Sequence, residues 1–360
     1  MLKKFCLILL SAFLLTGCKS LDLGKSVVTF SSWGSITEVE ILKTIISDFE
    51  KENPNIKVQF MHIPQNYFQK LHLLFASNTA PDVVFINNLN LPIYKKYLVD
   101  LSKYIDNKEF YPVAISSLTY ENKLLAIPRD ISNLVFYINL DKTSLPNSDW
   151  TLGDLLNKSK ALQDENVFAL SFEEDIYWAL PYLSYFAETN LTDGISADEM
   201  NGINFYKSLR DEYKIAPTKS QIGSSTLAQM FLDEKVVFYL SGRWMYPKIK
   251  EKAEFNWSVV NFPYGKDKQL ADTSGWAVTK DCKNKDVAIK FVQFLSSEKS
   301  AEYFAQTGLV VPARIKASKV LENKEHNEKI FLGALTHLRP TIVDKDYKKT
   351  VDEINLKYIK

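Results

Sequence analysis

The chain has 360 residues with 44 basic and 43 acidic side chains, a formal charge of +1, and so even a balance leaves no electrostatic footprint for nucleic acid. An apolar share of 46% supplies a sizeable core over one or two domains. After the first residues no apolar run approaches membrane-spanning length.

Met1 to Cys18 reads as a targeting segment. Lys3 and Lys4 form a positive start, and Phe5 to Leu15 is an apolar run too short to span a bilayer. Leu15-Thr16-Gly17-Cys18 resembles the bacterial lipobox, which implies cleavage before Cys18 and acylation of that cysteine. Residues 1–17 are then a signal peptide and 18–26 a tether. Two or more acyl chains hold a protein stably on a membrane. The expected location is extracytoplasmic, lipid-anchored to a bacterial membrane. Of the three cysteines only Cys282 remains as a free side chain, which rules out an internal disulfide and a cysteine metal cluster.

Val27 to Phe30 is a buried strand ending in S-S-W-G-S. Ser35 stands three before Glu38, a capping-box spacing, and Ile36, Val39, Leu42, Ile45, Ile46 and Phe49 follow at helical intervals. Ile56, Val58 and Phe60 alternate with polar residues as a half-buried strand. Tyr67 to Phe75 carries a second helical stripe. Pro81 to Ile86 is another buried strand, closed by Asn87-Asn88. This β-α-β-α-β order predicts a parallel sheet with functional loops at the strand C-termini.

Leu124 to Asn139 reads as two strands run together. Between the apolar runs lies P-R-D-I-S-N, a polar break that a buried strand does not carry without a reason. The chain is expected to leave one lobe here and enter another, with these polar residues facing a cleft. Beyond it, Thr151 and Asp154 open a helix, and Val167–Ser171 is a strand leading through S-F-E-E-D-I-Y-W into another. Residues 198–232 carry a helical pair, and Val236–Leu240 is a strand ending in S-G-R-W. Phe255–Phe262 is a strand, Ser274–Val278 begins one, Val287–Leu295 is a helix, and Gly308–Arg314 is extended. The tail to Lys360 reads as two or three helices.

In this order, W-G, F-E-K-E-N-P-N-I-K-V, A-P-D-V-V-F, L-V-D-L-S-K-Y-I, Y-E-N-K-L-L-A-I-P, F-Y-I-N, S-G-R-W, S-G-W-A-V and V-V-P-A-R resemble the extracellular solute-binding proteins of bacterial ABC importers, the family that includes maltodextrin- and other sugar-binding receptors. The resemblance covers nearly the whole mature chain and is weakest after about residue 320. It implies an α/β, two-lobed periplasmic-binding-protein fold of the maltodextrin-binding type (type II), with a ligand cleft between the lobes. Lobe one is expected at 27–130 plus 272–311 and lobe two at 131–271 plus 312–360, with crossings near Asp130, Asp272 and Val311.

Sugars offer hydroxyls and flat C–H faces, so their sites combine carboxylates, amides and arginines with aromatic platforms. Candidates at strand ends are Trp33, Asn88, Asp130 and Ser132 from the first part of the chain. Glu173, Trp178 and Trp244 come from the second, and Trp276 and Arg314 from the third. Gly242 before Trp244 permits close backbone approach. Glu173, Glu174 and Asp175 also form an ordinary acidic helix start, the reading favoured for at least two of them.

The implied role is a monomeric, lipid-anchored receptor that closes on a sugar and delivers it to separate permease subunits; no cofactor or metal is called for. There is no G-x-x-x-x-G-K-[ST] motif for nucleotide hydrolysis. Arg129, Arg243 and Arg314 keep open an anionic ligand such as glycerol 3-phosphate, and a ligand sensor or adhesin on the same fold is a further alternative. A glycoside hydrolase using Glu173 or Asp130 is remote: the histidines at 62, 72, 326 and 337 are scattered, and no catalytic motif is present.

Overall fold

The computed structural model describes residues 24–265, 268–344 and 346–359. The leader, Cys18 and most of the tether lie outside the described residues. Strands β1 (Ser26–Ser32), β2 (Ile56–His62) and β3 (Val83–Asn87) run parallel, joined by helices α1 (Ile36–Glu52) and α2 (Tyr67–Ala76). The capping box that starts α1 is formed: Glu38 N–H donates to Ser35 Oγ at 3.3 Å and Ser35 N–H to Glu38 Oε2 at 2.9 Å. Two otherwise unpaired helix donors are thereby satisfied. The stripe from Ile41 to Phe49 packs on the sheet.

The polar stretch 128–132 is not a loop. It lies within β4 (Ile127–Ser132), and the break falls at Asn133-Leu134 before β5 (Val135–Asn139). The strand tolerates Pro128 because the ladder is bulged there. β9 (Gln269–Val278) pairs Ser274 with Asp130 and Gly275 with Pro128, so Arg129 has no partner in that register. Bulges place extra residues at such points and spare the proline a ladder bond. Gly275 is required by the close approach, since a Cβ there would stand 2.4 Å from the Ile127 carbonyl oxygen.

Among the described residues the first sheet has seven strands, ordered β10-β4-β9-β3-β1-β2, where β10 is Val311–Pro312 and β11 (Leu338–Pro340) pairs with the start of β9. The second has four: β8 (Trp257–Asn261), β5, β7 (Val236–Ser241) and β6 (Phe168–Ser171). Alternation along β5 divides its side chains between two cores. Val135 and Tyr137 join a core shared with the first lobe and with Phe331, while Leu134, Phe136 and Ile138 join one under α3 (Leu152–Leu162), α4 (Ile176–Phe186) and α5 (Ala197–Asp211).

Three segments connect the sheets. Residues 133–134 form the first, because Ile131 and Ser132 still pair in the first sheet. The second enters β9, which joins β4 from Asp272 onward. The third comes later than Val311: past α6 (Tyr246–Lys252) and α7 (Lys285–Leu295), the helical turns Ile315–Asn323 pack on α8 (Glu298–Gln306) of the first lobe, and α9 (His326–Ala334) reaches β8 of the second. Between α9 and the charged terminal helix α10 (Tyr347–Ile354) lies β11, a short strand where the sequence reading has only helices. No helix among the described residues is long and apolar enough to cross a membrane.

Candidate ligand cleft

Topology brings two sets of strand ends face to face. β1, β3 and β4 run in one direction and end toward the crossing. On the other side, β6 and β7 are parallel, and the end of β7 at Ser241 pairs with Val135, the first residue past the crossing. The loops after β1, β3, β6 and β7 therefore look at one another, and the functional loops of an α/β sheet lie at such ends.

On the second lobe, β7 leads through Gly242 into a turn of 3₁₀ helix at Arg243–Met245. Trp244 is 38% exposed. Its ring lies directly on Gly242: a Cβ there would meet Trp244 Cζ3 at 2.0 Å and Cη2 at 2.2 Å. The glycine thus makes room for the chain's own tryptophan. Tyr137 Oη donates to the Gly242 carbonyl at 2.9 Å and pins that carbonyl from below. Trp178, near the start of α4, stands edge-on to Trp244 at 6.4 Å between ring centres, with Tyr177 beside it at 5.7 Å. Of the acidic run, Asp175 caps α4 by accepting from Tyr177 N–H at 2.9 Å and also accepts from Asn355 Nδ2 at 2.8 Å. Glu174 pairs with Arg210 and with Lys219. Those two are structural. Glu173 is the third, and desolvation raises its carboxyl above the usual range, with nearby Lys219 opposing the rise.

On the first lobe, Trp33 follows β1, 47% exposed, with its ring 5.7 Å from Phe85. Behind it the Arg129 guanidinium is enclosed by the rings of Phe85 at 5.0 Å, Phe304 at 5.2 Å and Trp276 at 5.4 Å. It bonds Asp130 at 2.5 Å and reaches the cap residue Glu38 at 3.4 Å. Asp130 also accepts from Ser274 Oγ at 2.7 Å. The Asp130 carboxylate is thus occupied on both oxygens, and it braces the crossing.

Three of the residues expected at the ligand are placed elsewhere. Trp276 is fully buried, edge-on to Phe30 at 5.4 Å and Phe85 at 5.8 Å. It sits in mid-sheet between covered strands, a position its continuous apolar surroundings G-W-A-V signal. Asn88 is also fully buried. Its side chain accepts from Thr273 N–H at 3.1 Å and donates to the Ala271 carbonyl at 3.3 Å, tying the loop after β3 to β9. Arg314 does not reach across the cleft. It donates to the Ser296 carbonyl at 2.9 Å, pairs with Glu109 at 2.7 Å and covers Phe110, all on its own side.

Arg243, beside the Trp244 platform, is likewise internal. It pairs with Glu328 at 2.9 Å and donates to the Val310 carbonyl at 3.1 Å, so it ties the second-lobe turn to the third crossing. Ser132 and Asp272 face each other in register at the crossing. Ser132 Oγ and Asp272 Oδ1 are both shut off from solvent without a hydrogen-bond partner among the described residues. Burial, with the charge of Asp130 added and that of Arg129 opposing, pushes the Asp272 carboxyl up to about 7. The sequence reading places Asp272 at a crossing but gives it no site role; an acid inside an otherwise apolar and small-residue strand is the signal that was there.

The profile of the family described as bacterial extracellular solute-binding protein matches residues 44–329. The chain is similar to the maltodextrin-binding protein MdxE of Bacillus subtilis (strain 168), 25% identical over 367 aligned positions that cover 91% of this chain and 84% of that one. An ABC substrate-binding protein of Listeria monocytogenes, solved in complex with cycloalternan, superposes with a TM-score of 0.83 at 23% identity, covering 93% of this chain and 92% of its own. The Thermus thermophilus maltotriose binding protein, bound with maltotriose, gives 0.73 at 20% identity over 91% of this chain and 98% of its own. These structures share the two-lobed α/β fold expected from the sequence.

Proposed function

The chain belongs to the bacterial extracellular solute-binding proteins, and from that membership we propose that it captures a neutral sugar or oligosaccharide between its lobes and delivers it to the permease of an ABC importer. The observation that carries this reading is the Trp178–Trp244 pair of the second lobe, together with the exposed Trp33 after β1 of the first. Aromatic rings that keep an open face suit the flat C–H faces of pyranoses. The relatives named for maltodextrin, cycloalternan and maltotriose point toward glucose oligomers.

The arginines argue against an anionic ligand. Arg129, Arg243 and Arg314 each hold a carboxylate already, so an anion has to displace one to gain a partner. Asp130 spends both carboxylate oxygens on protein donors, which favours binding over glycoside hydrolysis. Ligand contacts on both lobes favour closure about the three crossings. The Leu15–Cys18 quartet supports a lipid anchor, with the folded part as a monomer outside the cytoplasmic membrane.

Calorimetric titration of the fragment starting at Lys19 with maltotriose, and in parallel with glycerol 3-phosphate, tests the reading. Maltotriose binds and W244A weakens it. Binding of glycerol 3-phosphate alone, or of no sugar across a panel of mono- and oligosaccharides, overturns it. For the anchor, C18S abolishes labelling by a palmitate analogue in a bacterial host; retained labelling refutes lipidation at that cysteine.

A further inference from the structure

We propose that Asp272 is a proton-linked hinge residue: ligand-driven closure of the lobes takes up a proton on its carboxyl, so affinity rises as pH falls through neutrality. The inference rests on the two-lobed capture reading for its ligand arm and on hinge geometry for the rest.

Asp272 stands where the second connecting segment enters the first sheet. Groups from both lobes and from the tail face it. β4 contributes Asp130 and Arg129, which are bonded to each other. Ser132, its register partner, offers a hydroxyl that has no partner. α4 of the second lobe contributes Tyr177, and α10 contributes Tyr347, which also feels Asp175. β11, which pairs with β9 just before Asp272, carries Arg339, whose Nη2 donates to the Thr189 carbonyl. The loop after β3 presents Asn88, whose amide is used on the backbone of β9. Arg129 is engaged by Asp130 and Glu38. Asp272 Oδ1 is shut off from solvent, and the residue borders a cavity of about 20 Å³ shared with Leu89, Leu134, Tyr177, Leu270 and Thr341, room for about one water molecule.

A carboxylate in this position is disfavoured by lost hydration and by the like charge of Asp130. Protonation removes both penalties. This is why the carboxyl is pushed up to about 7. The same carboxyl is bounded by β4 on one lobe and α4 on the other, so lobe motion sets its access to water. Opening hydrates it and favours the charged form; closure encloses it and favours the neutral one. Reciprocity then requires that a ligand which stabilises closure raises the carboxyl's proton affinity, and that protons raise ligand affinity. α4 also carries Trp178 one residue on from Tyr177, so the element that senses the charge presents one ring of the cleft's aromatic pair.

The test uses the fragment starting at Lys19, wild type beside D272N, with D272S as a second neutral variant in case the amide disturbs folding. Maltotriose is titrated by calorimetry at pH 6, 7 and 8 in two buffers of different ionisation enthalpy. Wild type takes up a fraction of a proton near pH 7 and loses several-fold in affinity from pH 6 to pH 8; the neutral variants show neither. Small-angle scattering without ligand separates this inference from the sugar reading: the wild-type radius of gyration grows from pH 6 to pH 8, and that of the neutral variants stays constant. Absence of maltotriose binding refutes the sugar reading and leaves the scattering arm to decide. A pH-independent wild type, or variants that keep the wild-type pH dependence, overturns the hinge inference.

Discussion

Gly242→Ala isolates the platform from the fold. The backbone at 242 has φ −100° and ψ −179°, extended geometry that alanine adopts without strain. The added methyl group instead lands 2.0 Å from Trp244 Cζ3 and 2.2 Å from Cη2, so the ring has to withdraw by roughly 1.5 Å to reach ordinary contact. Trp244 is partly exposed and has room to move outward, which keeps the cost to folding small. The ligand loses its platform. Stacking contributes about 1 kcal/mol beyond burial, and about 40 Å² of ring face at ~25 cal/mol per Å² adds about another 1 kcal/mol. The expected loss of about 2 kcal/mol is ~30-fold in maltotriose affinity, with the unfolding midpoint in urea nearly unchanged. W244A reproduces the affinity loss, and the double variant adds little to either. Unchanged affinity in G242A refutes the placement of ring on glycine. A large stability loss refutes the claim that this glycine serves the site rather than the fold.

Other expected outcomes follow from the buried groups. R243M leaves Glu328 buried without its cation and costs about 3–5 kcal/mol in urea denaturation; R243M combined with E328L recovers most of it, and additive losses would contradict a paired role. W276A removes a fully buried ring and costs about 3–5 kcal/mol of stability, while W276F keeps maltotriose affinity; a selective affinity loss in W276F restores Trp276 to the site. Asp272 is raised from 3.8 to about 7 on folding, so its favourable contribution is full below about pH 4 and is lost as pH rises through about 7. Relative to D272N, wild type therefore gains up to about 4 kcal/mol in urea stability between pH 8 and pH 4, and parallel pH profiles for the two count against a half-buried, raised carboxyl. R314A leaves affinity unaltered, because both its polar partners lie on one lobe.

Much of the scaffold is legible in local sequence. Capping boxes at Ser35–Glu38 and Thr151–Asp154 are formed as their spacing predicts, since a cap needs only residues three apart. The parallel order of the first lobe follows from strands alternating with amphipathic helices. Trp33, Trp178 and Trp244 each come after a strand that ends toward the crossing, which is what makes them candidates from the sequence. Family order supplied the two-lobed architecture.

What sequence could not reach depends on partners distant in the chain. Trp276 and Trp244 each come within two residues after a Ser-Gly pair. One lies in mid-sheet between Phe30 and Phe85, the other on the rim, and strand order sets them apart. Arg314 is committed to Glu109 and Asn88 to Ala271 and Thr273, partners roughly 200 residues away. The stretch 128–133 reads as a break because a buried strand does not carry such polar residues without a reason; β4 holds 128–132 as strand since Arg129, enclosed by aromatic rings, pairs with Asp130. The period of each element and its caps are written locally, because neighbours within one helical turn or one strand set them. Which polar groups remain free for a ligand emerges on folding, because a side chain's availability is fixed by the partner that reaches it first through space.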